Sequence, residues 1–554
     1  MATERVHFVG LLLFASALGA CSNVGAADTN ASGFVPAGAG GASSGFISGN
    51  GAMTPGTDLS DAGAPLPPEK ELDQTFRAPV ATGKLLWSAN PDSGRVALID
   101  AETLAVRMTN AGFGPTYLAA VPREKGTDSA IVINVGSNDA SWFVATSNDI
   151  STTTIPTHAG ANSWAVSADG RFAIAWTDVS QIQGGATDTV NGYSELTVID
   201  LSQTPPASTR LSVGFRPSQV VFDASAKHAY AVVDEGISVL DLTGDPQLSA
   251  LVTVTAAGAA PARDVNIAPD GSFAAVRVEG SADVEIITLP PPPSGASSTG
   301  ARQTVTLESS VTDLDLSADG KTATAVLGNE TPPKVVSFAV PNPGGPPSPS
   351  DTATVTGELV RSVTLAPDGT VAVLYANAVP SNHVTLLDTS SGAGHFGFRT
   401  VDVQGAVQSV YVSPGSGTAI TLQTPPAGSK KAGLFSIVPT KSVQSPKIVG
   451  TDALPTDVAF SDANSDAKLD KALVTVHDTV STVHGVYVIG LANLEQNFIA
   501  LSSDPLPGAT GIIAEAKRGF VAQKHPEGRI TFIDLDTGTA QTLSGFEIAA
   551  RVVQ

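Results

Sequence analysis

The chain has 554 residues, room for three or more domains or for one long repeat array, and 52 Asp and Glu against 30 Lys and Arg give it a formal net charge of −22. With 42% hydrophobic and 15% charged residues it can bury a large core, so wholesale disorder is excluded, and so acidic a chain with no basic run repels nucleic-acid phosphates. A single Cys excludes a disulfide framework or thiolate cluster, while 54 Gly, 38 Pro and only 5% aromatics favour short strands and turns over long helices.

Residues 1–21 open with a short polar stretch carrying Arg5, followed by an apolar run from Phe8 to Ala20 that is too short to span a bilayer as a mature helix. The run ends in Leu18-Gly19-Ala20-Cys21, and the chain's one cysteine sits there. This ending resembles the lipobox of bacterial lipoproteins; the alternative is an ordinary secretory signal with a chance Cys. The resemblance implies diacylglyceryl modification of the Cys21 thiol, cleavage before it, and stable anchoring by two or three acyl chains. Ser22 at the next position, rather than Asp, implies by the same resemblance sorting to the outer membrane.

Residues 22–83 are dominated by Gly, Ala, Ser and Pro without apolar periodicity, so this tract is expected to be a disordered linker whose ends lie roughly 45 Å apart on average. Gly41-Ala42-Ser43-Ser44-Gly45 inside it fits the G-x-S-x-G pattern of serine hydrolases. That motif needs a strand-to-helix elbow to expose its nucleophile, and the tract offers neither, so the match is compositional and no catalytic residue is assigned.

From Lys84 to Gln554 one phrase recurs: a short apolar strand, a turn that is often Asp-Gly, then an Ala/Val-rich strand. The clearest copies run from Ser163 to Trp176, Ala262 to Val278, Val311 to Val326 and Arg361 to Tyr375. Degenerate copies begin near Thr116, Pro217, Val407 and Gly508. Successive turns lie about 49 residues apart, the spacing of a four-stranded β-propeller blade. Asp-Gly is expected to supply the left-handed positions of a two-residue hairpin turn. A third strand follows in Glu195 to Leu201, Gly236 to Leu242, His383 to Thr389 and Arg529 to Gly538, and its terminal Asp suits a turn in which the carboxylate accepts from following N–H groups. The Pro-rich insertions at 290–293 and 341–350 belong in exposed loops.

Residues 84–106 lack a first strand and Glu547 to Val553 resembles one without partners, so pairing of the two termini is expected to close the ring. The expected fold is therefore all-β: a single large propeller of about nine to ten four-stranded units over 84–554, with a second, separate propeller as the alternative. The phrases A/S-x-D-G-x-x-A-x-V and V-x-x-(I/L)-D resemble YVTN-type, lactonase-like propeller repeats of exported prokaryotic proteins. The tetrapeptide Tyr-Val-Thr-Asn is absent, Tyr230-Ala231-Val232-Val233 being its nearest equivalent, and so are the WD dipeptide and Gly-His signature of WD40 repeats.

Asp462, Asn464, Asp466, Lys468 and Asp470 occupy positions 1, 3, 5, 7 and 9 of one turn. They resemble the calcium loop of FG-GAP and integrin-type propeller repeats, with the Lys468 backbone carbonyl as a ligand and Ala467 in place of the usual Gly. Crowded hard oxygens suit a structural Ca²⁺, and an acidic solvated hairpin is the alternative. His477 and His484 flank a short loop between two strands and could face each other, but two imidazoles are an incomplete transition-metal site. Without C-x-x-C-H or a phosphate-binding motif, neither haem nor nucleotide is expected as a cofactor. Asp264, Asp313 and Asp315 fall on first strands, either lining a central channel or standing as solvated charges. The functional expectation is a lipid-anchored, exported binding module for an envelope protein or glycan. The alternatives are a lactonase-like hydrolase using channel-facing carboxylates, and an envelope assembly scaffold.

Overall fold

The structure, a computed structural model, describes residues 77–550 apart from 124–126, 148, 183–192, 255–262, 290–300, 341–350, 356–357, 390–396, 462–469 and 479–481. It contains ten four-stranded antiparallel sheets, each formed by consecutive strands, here named a to d. They span 80–110, 115–156, 163–212, 219–253, 263–306, 313–354, 362–402, 406–451, 454–500 and 505–544, and are blades one to ten. Three single-turn 3₁₀ segments are the only helices among the described residues, and none is long and apolar enough to cross a membrane.

Strands b and c supply the core because both their faces are covered. Alternate residues of a strand point to opposite sides, here toward the two flanking blades. In strand b of blade three, Phe172–Trp176, Ala173 packs toward blade two with Ile131, while Phe172 and Ile174 pack toward blade four with Ala229 and Leu240. Such clusters bridge every successive pair of blades. A further one joins Leu86 and Ile99 of blade one to Phe520 and Phe532 of blade ten, which closes the circle. A single blade could not bury both of its faces; the ring does.

Closure differs from the expected strand exchange. Strand a of blade one is Val80–Thr82, at the end of the tract assigned to the linker, and it pairs with Leu85 to Trp87. Being three residues long, it leaves the rest of strand b without an inner partner. The described part of the C-terminal segment covers that remainder as a 3₁₀ turn, Phe546–Ile548, rather than as a strand, while residues 551–553 of the expected strand lie outside the described residues. Ser88 Oγ donates to Ile548 O at 3.0 Å and Asn90 Nδ2 to Phe546 O at 2.5 Å, while Arg77 N donates to Ala550 O at 2.7 Å. The termini do meet, sharing one strand position between them.

The recurring Asp-Gly turn also differs in detail. In blade three Ser167 N bonds Phe172 O at 2.9 Å, closing a four-residue loop in which Gly170 N donates to Ser167 O at 2.8 Å. Gly170 has φ +66° and Asp169 is not left-handed. The aspartate serves as an acceptor instead, taking Ser167 Oγ at 2.6 Å and Arg171 N at 3.0 Å. A Cβ on Gly170 would lie 1.8 Å from Pro122 O of the preceding blade, so both backbone and neighbour demand glycine. The aspartates that end strand c behave as expected: Asp534 Oδ1 accepts from Thr537 N at 2.8 Å and Asp536 N at 3.0 Å. Those bonds, the Thr537 one foremost, hold its carboxyl below the usual range.

Candidate functional site

Antiparallel a-b-c-d order puts the a–b and c–d turns on one face of the ring and the b–c hairpins and d–a connections on the other. The second face, called here the upper face, carries four exposed large apolar side chains among the described residues. These are Phe113 (69% exposed), Val379 (47%), Leu454 (51%) and Phe546 (46%). Among the described residues Val443 is the one on the opposite face, and the other exposed large apolar residues, such as Met108 and Phe498, lie on outer strands. A cavity of about 120 Å³ on the opposite face, between blades five and six, is lined by Asp270, Phe273, Gln303 and Lys321 among others.

The first-strand carboxylates neither line the channel as free ligands nor stand in solvent as end-of-strand charges. Asp264 and Arg277 are cross-strand partners in blade five, both buried, with Arg277 Nε 2.5 Å from Asp264 Oδ2. Asp313 Oδ2 accepts from Val363 N at 2.8 Å and Asp315 Oδ2 from Leu365 N at 3.0 Å, both across the gap to blade seven. Asp457 Oδ2 accepts from Gly508 N of blade ten at 2.9 Å. The reason is common to all three. The inner edge of each a strand has no sheet partner, and a carboxylate one blade back supplies the acceptor that its N–H groups lack. Burial is the main cause that pushes the Asp315 carboxyl up to about 6; its bonds from Leu365 and Leu316 N–H oppose the shift and the Asp264 charge adds to it.

The sharpest cluster stands on the upper face where blades nine and ten meet. His477 is next to last in strand b of blade nine (Lys471–Asp478), His484 is second in strand c (Val483–Gly490), and the two are direct cross-strand partners, as their spacing suggested. Their rings lie 6.5 Å apart. Asp504, in the connection to blade ten, completes the group. Its Oδ1 is 2.8 Å from His484 Nδ1 and 3.9 Å from His477 Nδ1. The shorter contact has the distance of a hydrogen bond but not its direction: all three atoms are closed to solvent and none has a hydrogen-bond partner. Leu501 N to His484 O (2.9 Å) and Lys524 N to Asp504 O (2.7 Å) fix the backbone beneath. Sequence reasoning missed Asp504. Its place after the fourth strand, on the same face as a b–c hairpin, was the available signal.

Three other described histidines, His158, His228 and His383, contact side chains within the fold. His158 is buried with Nδ1 2.9 Å from Thr197 Oγ1, and burial, aided by the Arg210 charge, lowers its pKa to about 4. His228 and His383 lie 2.9 Å from Asp223 and Glu358 carboxylates. Of the expected calcium loop, Asp462, Asn464, Asp466 and Lys468 lie outside the described residues, as do Cys21 and the Gly41 to Gly45 motif. Asp470 is described and buried. The bond from Ser461 N to Lys471 O at 2.8 Å brackets nine residues where blade three uses four.

No family model matches the chain, and no curated protein matches it. Solved structures do. A eukaryotic initiation factor is 12% identical with a TM-score of 0.49, over 86% of this chain and 98% of its own. A 6-phosphogluconolactonase-like protein of Bacteroides uniformis is 17% identical with a TM-score of 0.30, over 58% and 97%. The β-propeller domain of Cps50 (Swd1) from Myceliophteria thermophila is 10% identical with a TM-score of 0.35, over 62% and 99%. Likeness at this level concerns the fold alone, and the chain is a ten-bladed β-propeller.

Proposed function

We propose that the protein is a lipid-anchored, exported propeller that binds an envelope protein or glycan through its upper face at the bacterial outer membrane. What supports this reading is that the exposed apolar side chains Phe113, Val379, Leu454 and Phe546 all stand on that one face of a closed ring. Cys21 at a lipobox-like ending supplies the tether, and the Gly-rich tract after it supplies reach. The hydrolase alternative draws less support, because Asp264, Asp313 and Asp315 are engaged by Arg277 and by backbone N–H groups of the next blade. Capture from solubilised envelope by the full chain tests the binding reading. Phe113→Ser with Leu454→Ser is expected to cut capture about tenfold or more, whereas Val443→Ser leaves it unchanged. Palmitate labelling should vanish in Cys21→Ser. Equal capture by all variants, or label that survives the Cys21 change, rejects the proposal.

The Asp462 to Asp470 loop is proposed to hold a structural Ca²⁺ through Asp462, Asn464, Asp466, Asp470 and the Lys468 carbonyl. Its position between strands a and b, and its bracket by Ser461 and Lys471, suit a loop folded around an ion. Calcium is expected to raise the melting temperature by several degrees and Asp466→Asn to abolish that rise. An unchanged calcium response in the variant discards the assignment.

A further inference from the structure

We propose that His477, His484 and Asp504 form a binding site for a divalent transition-metal ion of the zinc class on the upper face, where blade nine meets blade ten. Three donor atoms, two imidazole nitrogens and one carboxylate oxygen, all lie within 4.8 Å of one another. Around a tetrahedral ion with bonds near 2.0–2.1 Å, neighbouring donors stand about 3.3 Å apart. The Asp504-to-imidazole separations of 2.8 and 3.9 Å straddle that value and the whole set lies within 4.8 Å, so side-chain rotation is what draws the three donors onto one ion. The second observation is independent of spacing. His477 Nδ1, His484 Nδ1 and Asp504 Oδ1 are each shut off from water and make no hydrogen bond, facing only one another at 2.8 and 3.9 Å, a state that a cation between them would relieve at all three.

Nitrogen donors discriminate the ion. Imidazole suits zinc, copper or nickel, whereas calcium and magnesium take oxygen, so this site is distinct in chemistry from the acidic loop of the same blade. The backbone around the donors is held by the b–c hairpin register and by the Lys524 N to Asp504 O bond, so the site is largely pre-formed. His477 and Asp504 keep 29% and 21% of their side-chain surface, so the closed donor atoms lie just beneath the upper face. Three protein donors leave the fourth tetrahedral position to water, the arrangement of an exchangeable or reactive site rather than a closed structural one. Bound there, the ion ties the hairpin of blade nine to the connection into blade ten.

Titration calorimetry of the full-length protein, stripped with chelator and given Zn²⁺ alone, tests the site. One ion per chain is expected. His484→Gln and Asp504→Asn should each weaken binding about 100-fold with unchanged circular dichroism, and His383→Gln should leave it intact. Co²⁺ in place of Zn²⁺ should show the intense visible bands of a four-coordinate centre, lost in the same two variants. Excess Ca²⁺ should not displace the ion. Equally tight zinc binding in both site variants, no saturable binding by the folded wild type, or displacement by Ca²⁺ would each overturn the proposal.

Discussion

Replacing Arg277 by alanine is expected to destabilise the ring by about 3–5 kcal/mol, the largest effect of any single change considered. Arg277 and Asp264 face each other in paired strands, with at most 5% of either side chain exposed. Removing the guanidinium leaves the Asp264 carboxylate buried with its closest charge partner gone and Asp315 near enough to feel its charge. The cost is that of stranding an ion, not the net worth of the pair. It follows that Arg277→Met combined with Asp264→Leu should recover most of the loss, because well-packed apolar residues replace a buried pair with little penalty. A double-mutant cycle on unfolding midpoints checks this; a double variant as unstable as Arg277→Ala would show that the pair itself stabilises the blade.

Changing Asp315 to asparagine is expected to make the protein more stable at neutral pH by about 2 kcal/mol, while changing little near pH 4. The sign follows from the direction of the shift. The folded carboxyl titrates at about 6, above the range of the unfolded chain, so the folded state binds its proton more tightly. The stabilisation from protonation is therefore complete below about pH 4 and is lost as pH climbs to about 6. Asparagine mimics the protonated form and keeps an oxygen for the Leu365 N–H, so that decline should be missing from its stability profile. Unfolding midpoints of both proteins between pH 4 and 7.5 provide the measurement, and parallel curves would contradict the expectation. The two changes should not be additive, since a stranded Asp264 charge raises the Asp315 carboxyl further.

Much of the architecture is legible in the sequence. Copies of one turn phrase about 49 residues apart, each leading into an Ala/Val-rich strand, implied blades. The ten-membered ring contains them. Carboxylate roles were not legible. Asp313 and Asp534 are both aspartates in repeat positions, yet one reaches the next blade and the other turns back on its own chain. The difference rests on which N–H groups lack a sheet partner, a property of the assembled edge rather than of the residue.

The His477 and His484 pairing could be read from a hairpin register because both contacts are local, seven positions apart. Asp504 could not, since the stacking of blade ten on blade nine brings it there. Ring closure shows the same division. The sequence determined that the C-terminal segment would meet the first blade at its inner edge, because hydrophobic pattern and repeat phase are intrinsic to the chain, but it assigned that segment the whole first strand and Val80–Thr82 to the linker. The tertiary structure alone decided how the two termini share that edge, a three-residue strand from one end and a 3₁₀ turn from the other, because that choice depends on how much of Leu85–Asn90 is left uncovered once the neighbouring blades have packed.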